Sequence, residues 1–136
     1  MASAEKAYRI LIVDDNKAFL SATSSSLKSL DDAIVIETAR SGNECLRKVK
    51  QFGPQLVLLD IGMDGMNGLV TLRFIKSIDT STLVYFLSGH TEDFLQDAIR
   101  MVPADGYFTK TQFAKTLSSV QSLASVLSSG KYKQHK

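Results

Sequence analysis

Cysteine is almost missing from this chain of 136 residues. Cys45 is the only one, so no disulfide can form within the chain. It lies beside Leu46 and Val49 in a helical pattern and reads as a small buried apolar residue, not a reactive thiol. A strong charge excess is missing too, with 16 basic against 14 acidic residues and a formal net charge of +2. Lys131, Lys133 and Lys136 crowd the C-terminal tail, and removing those three of the 16 leaves 13 basic against 14 acidic. The body therefore carries no general positive field to gather nucleic acid. The basic tail reads as a solvated terminus or linker. No apolar run approaches the roughly 18 residues of a membrane span, and residues 1–6 hold no signal-peptide core. These absences predict a cytoplasmic, reducing setting, with no membrane and no nucleic acid contacted by this domain. Internal repeats, low-complexity segments and internal linkers are also absent, and the length fits one domain.

What is present is alternation. Short apolar runs at 8–13, 33–38, 56–59, 82–87 and 106–109 are separated by helical patterns at 16–30, 43–52, 69–77 and 91–101. A fifth helical pattern, 112–127, follows the last run. Several runs are nearly continuous in Val, Ile and Leu, which suits strands covered on both faces. Ser41 before Gly42, and Thr91 before Glu92 and Asp93, read as N-caps with acidic first turns. Gly53-Pro54 ends the second helix, and Val102-Pro103 with Ala104-Asp105-Gly106 marks the turn into the last strand. Phe113, Leu117, Val120, Leu123 and Leu127 put one buried stripe on the final helix. Strict alternation predicts an α/β fold with a five-stranded parallel sheet and helices on both faces. Residues 1–7 read as a tail, 8–128 as the folded domain and 129–136 as a basic tail or linker stump.

In such a fold the C-terminal ends of the strands share one edge, where ligands bind. The first strand delivers Asp14 and Asp15 there, and the third delivers Asp60. The fourth delivers Ser88, followed by Gly89 and His90, and the fifth delivers Thr109 and Lys110. Three carboxylates at close quarters repel unless a cation sits among them. Hard oxygen ligands favour Mg²⁺. A lysine beside them makes sense when phosphoryl oxygens share the site, and one carboxylate can then be the nucleophile. Asp60 is the candidate, being central in the sheet and followed by a glycine-rich loop.

Together these residues resemble the receiver (CheY-like) domain of two-component response regulators over residues 8 to about 128. The resemblance rests on Asp14-Asp15, on Asp60 opening Asp-Ile-Gly-Met-Asp-Gly-Met-Asn-Gly, on Ser88-Gly89, and on Gly-Tyr-Phe-Thr-Lys ending at Lys110. It implies strand order 2-1-3-4-5 and phosphorylation of Asp60 by a histidine kinase or phosphotransfer protein. It implies Mg²⁺ held by Asp15, Asp60 and the Gly62 backbone carbonyl, with Asp14 acting through water. Ser88 and Lys110 would bind the phosphoryl oxygens, and Ser88 with Tyr107 would form the switch. Gly62 and His90 occupy the positions that tune dephosphorylation. The readout would lie on the face of the fourth and fifth helical patterns, toward a downstream protein, with a homodimer as a further expectation.

Two departures stand out. Asp64 and Thr111 replace prolines usual in the family. A non-proline cis bond costs about 3–4 kcal/mol, against about 0.5–1 for a bond before proline. The Lys110–Thr111 peptide is therefore expected to be trans, with an altered loop. Taken singly, each residue has a plainer reading. The aspartates would be turn or cap residues, with Asp15 partly capping the first helix, and Lys110 a solvated loop lysine. Ser88 would close a turn, His90 would be a surface histidine and Tyr107 half-buried packing. Met63 and Met66 read as packing. The glycine-rich loop lacks the Gly-Lys-Ser/Thr of a P-loop.

The competing activity is an Mg²⁺-dependent phosphatase with an aspartate nucleophile, but Gly62 stands where such enzymes place a second acid. A hydrolase built on Ser88 and His90 lacks a Gly-x-Ser-x-Gly elbow, and an inert pseudo-receiver would not keep every phosphate-site residue type. The chain is thus expected not to be a separate enzyme, beyond its own phosphorylation and dephosphorylation. No DNA-binding or catalytic domain is read after Leu127. Output would come from docking by a freestanding regulator or from a longer protein.

Overall fold

The structure is a computed structural model and describes residues 7–63, 65, 67–89, 104–119 and 122–130. Five strands form one parallel sheet: β1 (Tyr8–Val13), β2 (Ile34–Ala39), β3 (Leu56–Asp60), β4 (Leu83–Ser88) and β5 (Gly106–Thr109). Their order is β2-β1-β3-β4-β5, as expected. The described helices are α1 (Lys17–Lys28), α2 (Gly42–Phe52), α3 (Gly68–Ile78), α4 (Lys110–Ser119) and α5 (Leu123–Ser128). The expected helix over 91–101, its Thr91 cap, His90, Val102-Pro103, Asp64, Met66 and Val120 lie outside the described residues.

Alternate residues of each strand go to opposite cores, as a two-residue repeat requires. Leu11, Val13, Val57, Leu59, Val84 and Phe86 meet Cys45 and Val49 of α2 and Leu72 and Ile75 of α3. Ile10, Ile12, Leu56, Leu58, Tyr85 and Leu87 meet Leu20 and Leu27 of α1, Phe113 and Leu117 of α4 and Val126 of α5. Burial raises the Cys45 thiol pKa to about 12, which keeps it protonated and inert as expected.

Element ends differ from expectation by a residue or two, with identifiable causes. Asp31 holds the amide of Ala33 through its side chain and that of Ile34 through its carbonyl, so β2 begins one residue late. Asn16, rather than Asp15, caps α1 by accepting the Phe19 amide. Asn67 caps α3 in the same way through the Val70 amide. Ser41 caps α2, and Gly53 ends it in the left-handed region at φ 62°, a conformation glycine adopts without strain.

The single final helix expected over 112–127 is corrected to two. Ser122 is extended and caps α5, its hydroxyl accepting the Ser125 amide. An extended residue cannot lie inside a helix, so the stripe is split. Phe113 and Leu117 still face the core, while Leu123 and Leu127 are partly buried against it.

Candidate functional site

Strand order reverses at β1 and β3, and ligands of open α/β sheets bind beyond the strand ends at such a point. Val13 pairs with Leu59, so the residues that follow, Asp14 and Asp60, reach the edge side by side. Asp14 is fully buried and Asp60 nearly so, whereas Asp15 is exposed. One carboxylate oxygen from each of Asp14, Asp15 and Asp60 lies within 4.8 Å of the others. Backbone amides fix two of these groups. Asn16 N–H donates to Asp14 Oδ1 and Gly62 N–H to Asp60 Oδ1, both at 2.9 Å.

Lys110 reaches the same place from β5. It follows the strand end directly, as expected, and is the first residue of α4 rather than the solvated loop lysine of its plainer reading. The amide of Gln112 donates to Thr109 Oγ1, and the amide of Thr109 donates to Gln112 Oε1. This reciprocal capping box starts the helix directly at the strand end. The Lys110–Thr111 peptide is trans, in agreement with expectation. The ammonium lies 2.6 Å from Asp14 Oδ2 and 3.4 Å from Asp60 Oδ2. The aromatic ring of Phe19 stands 4.7 Å from it on another side.

Electrostatics follow from this crowding. Burial raises the Asp60 carboxyl pKa and the charge of Asp14 adds to the rise; the Gly62 amide and Lys110 oppose it without cancelling it. Burial alone would lower the Lys110 pKa, but contact with Asp14 and the charge of Asp60 outweigh it, and the net shift is upward. With all groups ionised, three carboxylates face one ammonium. Asp14 Oδ2 is in ion contact with Lys110 yet accepts no hydrogen bond of good geometry. A buried, incompletely satisfied oxygen within a cluster of hard donors fits a divalent ion such as Mg²⁺.

Ser88 ends β4 as a fully buried residue paired with Thr109, adjacent to this edge. Tyr107 is fully buried, which corrects the half-buried reading. Its hydroxyl accepts the Ala104 amide at 2.7 Å and its ring meets Phe86 edge-on. Gly62 is exposed beside Asp60, and Met63 is buried packing. The site thus joins Asp14, Asp15, Asp60 and Lys110. Sequence reading missed Phe19, Gln112 and the capping role of Thr109, which it placed at the strand end. For the last two a signal existed, the Thr-x-x-Gln spacing; nothing marks Phe19, which is brought to Lys110 by the packing of α1.

Residues 10–121 match the response regulator receiver domain family. The chain is 36% identical over 88 residues to a protein-glutamate methylesterase/protein-glutamine glutaminase of Caldanaerobacter subterraneus, covering 65% of this chain and 24% of that protein. It is 33% identical over 103 residues to the nitrate/nitrite response regulator protein NarL of Escherichia coli K12, covering 74% and 47%. The chain therefore spans about a quarter to a half of these relatives. The signal receiver domain of a DNA binding response regulator protein from Colwellia psychrerythraea superposes with a TM-score of 0.65 at 25% identity, over 82% of this chain and 95% of that one. Strand order, edge chemistry and relatives agree: this chain belongs to the response regulator receiver domains of two-component systems.

Proposed function

We propose that Asp60 accepts a phosphoryl group from a histidine kinase or a histidine phosphotransfer protein. The observation that carries this reading is the Lys110 ammonium held between Asp14 and Asp60 beside the oxygen of Asp15. A carboxylate oxygen of Asp60 attacks phosphorus as the phosphorus–nitrogen bond of the donor breaks, and the imidazole keeps the electron pair. Lys110 turns from the carboxylates to the incoming phosphoryl oxygens, and Ser88 donates its hydroxyl to them. Asp15, Asp60 and the Gly62 carbonyl would hold Mg²⁺, with Asp14 acting through water; the ion supplies positive charge to the phosphoryl oxygens. Gly62 leaves the approach of water to Asp60 open, and His90 is the second position proposed to tune dephosphorylation.

Signalling is proposed to be a two-state shift in which Ser88 moves toward the phosphoryl group and Tyr107 adjusts behind it. Since the Tyr107 ring is buried here, phosphorylation would stabilise that inward arrangement over an outward one. The readout is proposed to be a downstream protein docking on the face that the family resemblance assigns to the fourth and fifth helical patterns, or a homodimer formed there. Sizing with and without beryllofluoride tests the dimer.

The phosphorylation reading is tested by intact mass after exposure to acetyl phosphate with Mg²⁺. Wild type should gain one phosphoryl group, and Asp60→Asn should gain none. An adduct on both proteins would remove Asp60 from the role. Sustained turnover of a generic phosphate ester would favour the phosphatase instead.

A further inference from the structure

Away from the acid cluster, exposed apolar side chains gather on α3. Val70 is 60% exposed and Ile78 39%, and the one other large apolar residue exposed to this degree among the described residues is Val35. Val70, Phe74 and Ile78 follow one another at four-residue steps, so they make one stripe. Phe74 also walls a cleft of about 250 Å³ whose other lining residues are Leu46, Arg47, Lys50 and Gln51 of α2. Lys50 Nζ stands 5.3 Å from the centre of the Phe74 ring.

The charges of this groove are one-sided. Lys48, on the same helix, is engaged by Glu37 and Glu44. Among the described residues, Arg47 and Lys50 have no carboxylate within ion-pair distance, and both are exposed. Arg47 acts on Glu44 only beyond ion-pair distance, and an apolar stripe with a basic rim that forms no ion pair is complementary to an amphipathic segment carrying acids. The ends of the stripe lie eight positions apart on α3, about 12 Å or two helical turns, which suits a helix lying in the groove.

We propose that the α2–α3 groove docks an acidic amphipathic helix of another protein. Its apolar side rests on Val70, Phe74 and Ile78, and its carboxylates meet Arg47 and Lys50. A second copy of this chain fits less well, because a two-fold contact through this patch sets its basic rims against each other. Three apolar residues and two cations are also a small anchor for a lipid surface. The groove lies apart from the phosphoryl site, so its test does not depend on phosphorylation.

A fluorescent helical peptide with leucines on one face and glutamates elsewhere, about 18 residues long, is titrated into the full chain by anisotropy. Saturable binding is expected. Val70→Glu, and Arg47→Glu with Lys50→Glu, should each weaken it about tenfold or more. The double charge reversal should in turn bind a matched peptide bearing lysines for glutamates. All three positions are exposed, and circular dichroism checks that the variants fold. The proposal is overturned by any of four results: no saturable binding, equal binding of both peptides by wild type, affinity indifferent to the substitutions, or self-association lost in Val70→Glu. Uptake by phosphatidylserine vesicles that is lost on charge reversal, without peptide binding, would also overturn it.

Discussion

Two lysine–aspartate contacts sit at opposite ends of the same sheet and teach opposite lessons. At the N-terminal end, Lys76 lies 2.8 Å from Asp105 Oδ2. That oxygen also accepts the Val84 amide, and Lys76 donates to the Thr82 carbonyl. One acid meets one base, and their polar atoms tie α3 to the entries of β4 and β5. At the C-terminal end, Lys110 lies 2.6 Å from Asp14, but Asp15 and Asp60 crowd the same space. The first pair is balanced and serves the fold. The second leaves acid in excess, a cost to stability that the cation and phosphoryl group proposed for this edge would relieve.

The comparison can be broken first at the structural end. A Cβ on Gly106, next to Asp105, would lie 2.2 Å from the Tyr85 ring. Gly106→Ala should therefore destabilise the fold by about 3 kcal/mol in chemical denaturation. Asp105→Asn should cost less, about 1–2 kcal/mol, because both partners are partly exposed and solvent screens them. Neither change should alter the affinity for Mg²⁺.

At the other end the sign should reverse. Without Mg²⁺, Asp60→Asn should stabilise the fold by an amount on the order of 1 kcal/mol, since it removes one buried like charge. A loss of stability in the same denaturation experiment would contradict the account. The smallest effect is a pH slope. The Asp60 pKa is raised in the folded state, so the folded protein binds more protons than the unfolded chain. The metal-free stability contribution of this group therefore falls as pH rises from the ordinary carboxylate value through the raised one. Asp60→Asn should flatten that part of the profile, whereas Asp105→Asn should leave it in place.

The two ends also differ in how well the sequence reveals them. The acid edge is legible because its residues terminate apolar runs, and a parallel sheet brings such ends together. The Lys76–Asp105 pair is not. Asp105 reads as a turn residue, and its partner is 29 positions away with no periodic link. The split between α4 and α5 is hidden for a similar reason. The apolar stripe continues at helical spacing across Ser122, and only the local cap reveals the break. Burial of Tyr107 is set by Phe86 and the Ala104 amide, contacts that propensity cannot report.

The central claim is that excess acid, rather than a lysine–aspartate contact as such, makes the phosphoryl edge. Thermal unfolding of wild type, Asp15→Asn and Asp105→Asn, each with and without Mg²⁺, tests it most directly. The account predicts that Mg²⁺ raises the midpoint of wild type and Asp105→Asn alike and leaves Asp15→Asn nearly unmoved. An equal rise in all three proteins, or none in wild type, would contradict it.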